Sequence, residues 1–181
     1  MIRDDVLDTK FHGLLRDQIR DEFTAAQQYT AIAVHFDGAD LPQLAGFFYR
    51  QAVEERNHAM MFVRYLLDRG AEVEIPGVDP VRNGFDSARE AVALALDLER
   101  AVTENIVALA AAARDEHDYL GEQFMGWFLK EQVEEVATMT TLLRIAERAG
   151  DNLFHLEDYV ARELGAGKAD RTAPPAAGGT L

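Results

Sequence analysis

The chain has no cysteine among its 181 residues. That excludes disulfides, thiolate zinc sites, iron–sulfur clusters and cysteine nucleophiles. Long apolar runs are also missing. The longest, Ile106–Ala113, is far too short to span a membrane. The start, "MIRDDVLDTK", is acidic where a secretory signal needs a basic and then an apolar segment, so a cytoplasmic protein is expected. Positive charge is scarce: 18 basic residues face 32 acidic ones, for a net charge of −14. Nucleic acid and membrane are therefore poor partners, and cations are plausible ones. What remains is a composition of 48% hydrophobic and 28% charged residues, suited to one globular domain with a sizeable core.

No stretch reads convincingly as a strand, and apolar residues recur at helical spacing almost throughout. Helix α1 is predicted from about Lys10 to Phe36, ending at the turn "DGAD". Helix α2 opens near Leu41, with Pro42 in its first turn, and runs to about Asp68. Glycines and prolines in "RGAEVEIPGVDPVRNGFDS" break the pattern. Ser87 followed by Glu90 forms a capping box that opens α3, which continues to about Glu116. The turn "HDY" leads into α4, ending at Gly150, and a short amphipathic α5 spans about Asn152 to Leu164. Four helices of roughly 28 residues would each be roughly 40 Å long. The α2–α3 link can reach roughly 60 Å when extended, enough to run the full length of the bundle. The expected fold class is all-α, a ferritin-like four-helix bundle with one long crossover and a short fifth helix. Residues 1–164 would form this domain. Residues 165–181, poor in apolar side chains, would form a flexible tail.

Each long helix should bury one stripe, and each stripe turns polar near its middle. In α1 it reads Phe11, Leu15, Gln18, Glu22, Ala26, Tyr29, Ala33, Phe36, and in α2 Leu44, Phe48, Gln51, Glu55, His58, Phe62, Tyr65. In α3 it reads Val92, Leu96, Glu99, Val102, Ile106, Leu109, and in α4 Phe124, Phe128, Gln132, Glu135, Met139, Leu142. Glu22 and Glu55 are 33 residues apart, as are Glu99 and Gln132, so the two hairpins read as versions of one unit. Buried, unpaired carboxylates repel one another and resist ionisation. No lysine or arginine lies on the stripes at that level. Cations are the best remaining counter-charge: Glu22, Glu55, Glu99 and Glu135 together balance two divalent ions. His58 adds a neutral nitrogen and Gln132 a neutral oxygen. Carboxylates with one imidazole suit iron or manganese. Such a site can take up two ferrous ions, oxidise them and pass them on.

The segments "RDEFTAAQQY", "QAVEERNHAMMF", "LDLERAVTENI" and "WFLKEQVEEV" together resemble the bacterial non-haem ferritins of the ferritin-like superfamily, of the mycobacterial and actinobacterial type. The resemblance runs from about Phe11 to Leu164. It implies that Glu22 and His58 hold a first iron, with Glu55 bridging. Glu99 and Glu135 would hold a second, with Gln132 close to it. Glu54, Glu131 and Glu134 match acids of a third, weaker iron position, and Tyr29 matches a tyrosine that supplies an electron during oxygen reduction. The activity implied is ferroxidase, with dioxygen or hydrogen peroxide as acceptor. The implied assembly is a storage cage of twenty-four identical subunits, with α5 at the fourfold axes and Asp118 and Glu122 near acidic iron channels. The chain departs from the bacterioferritins and di-iron cofactor enzymes, which carry a second E-x-x-H. Here that motif is Gln132-x-x-Glu135, so the second iron should be held less tightly, as in a transit site. Arg56 stands where bacterioferritins carry a haem-ligating methionine, and Met60 and Met61 are out of position, so no haem is expected.

Blander readings fit the same residues. Glu54, Glu131 and Glu134 lie at the stripe edge, where helical glutamates are usually solvated. Tyr29 and Trp127 fit as core aromatics with a satisfied polar tip. His12, His35, His117 and His155 read as surface or turn residues. The tail could be a surface segment, part of a cage wall or a docking peptide for a partner. The rival functions are a di-iron oxidoreductase acting on an organic substrate or peroxide without iron storage, and a helical interaction module that binds no iron.

Overall fold

The computed structural model describes residues 9–165 and 170–181. The acidic start and residues 166–169 of the tail lie outside that range. The described residues form five helices and no strand: α1 Lys10–Asp37, α2 Pro42–Asp68, α3 Ala88–Asp115, α4 Tyr119–Ala149 and α5 Leu153–Glu163. Every helix boundary falls within two residues of the expected one, because caps and breakers mark most of them. Thr9 accepts the His12 N–H, Ser87 the Glu90 N–H and Asp118 the Gly121 N–H. Glu90 reaches back to the Asp86 N–H at 2.7 Å, one residue beyond the usual capping-box partner.

The tight turns are related as the stripes are. Asp40 and His117 each adopt φ 58°, the left-handed conformation that ends an antiparallel helix pair. The chain offset that carries Glu22 to Glu99 also carries Asp40 to His117. The α2–α3 link then runs along α1 towards its C-terminal end. Asp79 N–H donates to Thr24 at 3.1 Å, and Arg82 backbone exchanges two bonds with the Gln28 amide at 2.7 and 2.8 Å. Phe85 meets the His35 ring at 5.2 Å. This path starts α3 beside the end of α1, which is the long crossover.

The core is divided in two. At the α1–α2 turn, Phe36, Leu44, Phe48, Val92, Leu96 and Leu142 pack together with Leu156 and Val160 of α5. At the other end lie Phe11, Leu66, Ile106, Leu109, Met125 and Phe128. The polar level lies between these clusters. Helix α5 buries its Leu156–Val160 face within the chain, and Glu157 caps α2 by accepting the Gln43 and Leu44 N–H groups at 2.9 and 2.8 Å. Residues 170–181 lie over α2 and α4, where Ala177 N–H donates to Met60 O at 3.0 Å and Ala176 is buried in the second cluster. His12 departs from expectation. It is only 1% exposed, and neither ring nitrogen has a hydrogen-bond partner. Its place next to Phe11 on the first turn of α1 puts it at the stripe edge, and only the packed bundle end covers it. Among the described residues, no helix is long and apolar enough to cross a membrane.

Candidate metal centre

Five acidic and imidazole side chains are drawn into the bundle because each replaces an apolar residue on its helix stripe. Glu22, Glu55, Glu99, Glu135 and His58 are all buried, none more than 7% exposed. In the first half of the site, Glu22 comes from α1 and Glu55 and His58 from α2. Their ligand atoms all lie within 4.8 Å of one another. His58 Nδ1 lies 3.1 Å from Glu55 Oε2, the contact that the three-residue spacing implies. Gln18, one turn before Glu22, donates to Glu22 Oε1 at 2.9 Å. Glu22 Oε2 and Glu55 Oε1 are buried and have no donor.

The second half is organised differently. Tyr29 donates to Glu99 Oε1. The Gln132 amide donates to Glu99 Oε2 at 3.1 Å, to the Glu99 carbonyl at 3.2 Å and to the Thr103 hydroxyl at 3.2 Å. Glu99 is therefore well supplied with donors. Among the described residues, only Glu22, Glu55 and His58 form a group of three close ligand atoms. Gln132 and Glu135 stand where a second E-x-x-H would carry its glutamate and its histidine, so this half of the site has no imidazole of its own.

The electrostatics follow from burial. Desolvation, reinforced by Glu55, pushes the Glu22 carboxyl well above its usual range. Desolvation and the neighbouring Glu99 do the same to Glu55 and Glu135. Glu99 is also raised by burial, but its bonds from Tyr29 and Gln132 pull it back. Burial raises Tyr29 well above the ordinary phenol value, and the Glu99 charge adds to this. Glu22 and Glu55, with their donorless oxygens, are acceptors short of positive charge, which a divalent cation would supply.

The outer acids separate. Glu54 is exposed as a residue, but its carboxyl accepts from Gln51, and desolvation raises it. Glu131 is half-buried and raised for the same reason. Glu134 is exposed and lies 3.9 Å from Lys130. Glu54 and Glu131 line a cavity of about 580 Å³ together with His58, Trp127, Asp170 and Leu181. Asp118 and Glu122 have structural partners, the α4 cap and Arg114 at 2.6 Å. Gln18 and Gln51 hold acids, and Thr103 holds the Gln132 amide and the Glu99 carbonyl, three partners that the sequence expectations lacked. The first two lie on the stripes one turn before Glu22 and Glu55, so the helical spacing held that signal. Nothing in the spacing marks Asp170, which reaches Trp127 from the tail.

A ferritin-like domain family matches residues 13–149. The chain is 72% identical to ferritin BfrB of Mycolicibacterium smegmatis over 181 residues, covering 100% of each. It is 38% identical to the bacterial non-heme ferritin of Staphylococcus aureus over 152 residues, which are 84% of this chain and 91% of that one. The solved structure of an open pore ferritin from the hyperthermophilic archaeon Archaeoglobus fulgidus aligns with a TM-score of 0.82 at 27% identity. That alignment covers 87% of this chain and 98% of the archaeal one.

Proposed function

Because the chain belongs to the ferritin family, we propose that each subunit oxidises Fe(II) to Fe(III) at the buried acid level, and that the ferric product is stored as mineral inside a homo-oligomeric cage. The observation that carries this reading is the Glu22–Glu55–His58 group with its two donorless, buried carboxylate oxygens. Glu22 and His58 bind the first Fe(II), and Glu55 bridges to a second held by Glu99 and Glu135. Gln132 orients Glu99 and lies close to the second iron. Four carboxylates neutralise two ferrous ions. After oxidation two further positive charges remain, which bridging oxygen ligands derived from the oxidant or water would compensate. Dioxygen or hydrogen peroxide accepts the electrons, and Tyr29 supplies one when the iron pair does not suffice.

The missing second histidine makes the site a place of transit, since the ferric ions must leave. Glu54, Glu131 and Glu134 form the third, weaker position on the way out. No haem is expected, because Arg56 puts a guanidinium where an axial thioether would be needed. Twenty-four subunits, the number the resemblance implies, would enclose the mineral. Residues 1–164 carry this function, and residues 165–181 are an appended segment.

Aerobic addition of Fe(II) to the purified protein should produce rapid ferric absorbance. Glu22→Ala and His58→Ala should each slow the initial rate by more than about tenfold, since each removes a ligand. Initial rates equal to wild type in both variants would overturn the site.

A further inference from the structure

Glycine follows an aspartate or asparagine at two places, both exposed: Asp37–Gly38 in the α1–α2 turn and Asn83–Gly84 in the crossover. In either pair the glycine nitrogen can close a five-membered imide ring on the preceding side-chain carbonyl carbon, because glycine has no Cβ to obstruct the approach. The closure needs that nitrogen free of a hydrogen bond, and there the two pairs differ. Gly38 N–H donates to Val34 O at 2.9 Å, and the Asp37 carboxylate accepts the Tyr49 hydroxyl at 3.0 Å. Gly84 N–H has no acceptor among the described residues. A Cβ on Gly84 would meet no atom within 4 Å, so the space around the nitrogen is open. The Asn83 side chain is held by one bond, its amide donating to Val81 O at 3.3 Å. The other asparagines precede bulkier residues whose N–H is engaged. Asn57 and Asn105 lie inside α2 and α3, and Leu153 N–H, after Asn152, donates to Asp151 O at 3.2 Å.

We propose that Asn83–Gly84 is a self-modifying site, at which the crossover deamidates and passes in part to isoaspartate as the protein ages. Gly84 N attacks Asn83 Cγ. An N–Cγ bond forms, the Cγ–Nδ2 bond breaks, and the Gly84 amide proton leaves with Nδ2 as ammonia. The cyclic imide then takes up one water. Opening at Cγ gives an ordinary aspartyl residue, and opening at the main-chain carbonyl routes the backbone through the side-chain carbons and gives an isoaspartyl residue. Both products put a carboxylate where a neutral amide stood, and the second lengthens the main chain by one methylene. The site lies next to the fastening of the crossover on α1. Arg82 N–H donates to Gln28 Oε1 at 2.8 Å, and Arg82 O accepts the Gln28 amide at 2.7 Å. The Arg82 guanidinium donates to Gly84 O at 2.9 Å and lies over the Phe85 ring at 5.0 Å from its centroid. A longer main chain between Arg82 and Gly84 pulls these contacts apart, so the modification loosens the crossover just before α3.

Two measurements on the full chain test this. In the first, protein is incubated for days at mildly alkaline pH, and peptide mapping by mass spectrometry locates the products, with an isoaspartate-specific carboxyl methyltransferase as the probe. Aspartate and isoaspartate should accumulate at Asn83 several-fold faster than any product at Asn57, Asn105, Asn152 or Asp37. Gly84→Ala should suppress them several-fold while circular dichroism and the melting temperature match wild type, since the methyl group has room. In the second, hydrogen exchange at the Arg82 N–H should be several-fold faster in aged wild type than in fresh protein, and should not change with age in Gly84→Ala. Conversion at Asn83 no faster than at the other asparagines, or as fast in Gly84→Ala as in wild type, would overturn the site. Isoaspartate at Asp37 to the same extent would overturn the protection assigned to the Gly38 bond. Unaltered exchange at Arg82 in protein shown to carry isoaspartate would overturn the loosening of the crossover.

Discussion

At the scale of single residues, the fold bears a cost that its proposed function explains. Glu22, Glu55 and Glu135 lie well above their usual range because they are buried among one another. The folded, metal-free chain therefore binds protons more tightly than the unfolded chain does. The stabilisation from protonating these groups is fully present below the unfolded value of 4.5 and is lost as pH rises through the folded values. Calorimetry of chelator-treated protein should show this part of the stability falling as pH rises above 4.5. Glu135→Gln should flatten that slope and stabilise the metal-free protein at neutral pH. A melting temperature equal to or below wild type would count against the repulsion argument. Saturating zinc, a redox-inert stand-in for Fe(II), should reverse the pH trend, since it binds the deprotonated acids.

At the scale of the elements, two contacts bear more than the helix patterns alone reveal. The first helical residues of α4 pass so close to α1 that a Cβ on Gly121 would sit 2.5 Å from the Phe11 ring. Phe11 is fully buried, so Gly121→Ala should cost about 1–3 kcal/mol through overpacking. Denaturant unfolding with an unchanged slope and a lower midpoint would be the expected signature. The second contact caps α2. Its N-cap position is Leu41, which has no capping side chain, and Glu157 of α5 takes that role. Glu157→Ala should cost about 0.5–2 kcal/mol and speed hydrogen exchange in the first turn of α2. Protection equal to wild type at Gln43 and Leu44 would show that water serves those N–H groups as well. Helix α5 is therefore tied to the bundle by a cap and by its apolar face, whose Leu156 and Val160 are already buried within the subunit.

At the scale of the molecule, the subunit leaves apolar surface uncovered. Ile75 and Val78 of the crossover, 61% and 48% exposed, border a groove of about 590 Å³ that Tyr49, Val53 and Arg56 of α2 also line. The proposed homo-oligomer would cover such a surface. Ile75→Asp should shift the sedimentation profile from the assembled species towards smaller ones, while circular dichroism stays helical. An unaltered profile would place subunit contacts elsewhere. The sequence by itself determined the five helices and the ferritin-like class, because stripe periodicity, Ser87, Pro42 and the glycine-rich breaks are local signals. It also located the buried ionisable level, because Glu22, Glu55, His58, Glu99 and Glu135 interrupt apolar stripes at related positions. Only the tertiary structure decided how those residues pair. It grouped Glu22, Glu55 and His58, turned Glu99 towards Tyr29 and Gln132, covered His12, and brought Glu157 and Asp170 to partners far away in the chain. Periodicity records which face of a helix turns inward. Which atoms then meet depends on how separate helices and the tail are packed against one another, and no local spacing encodes that distance.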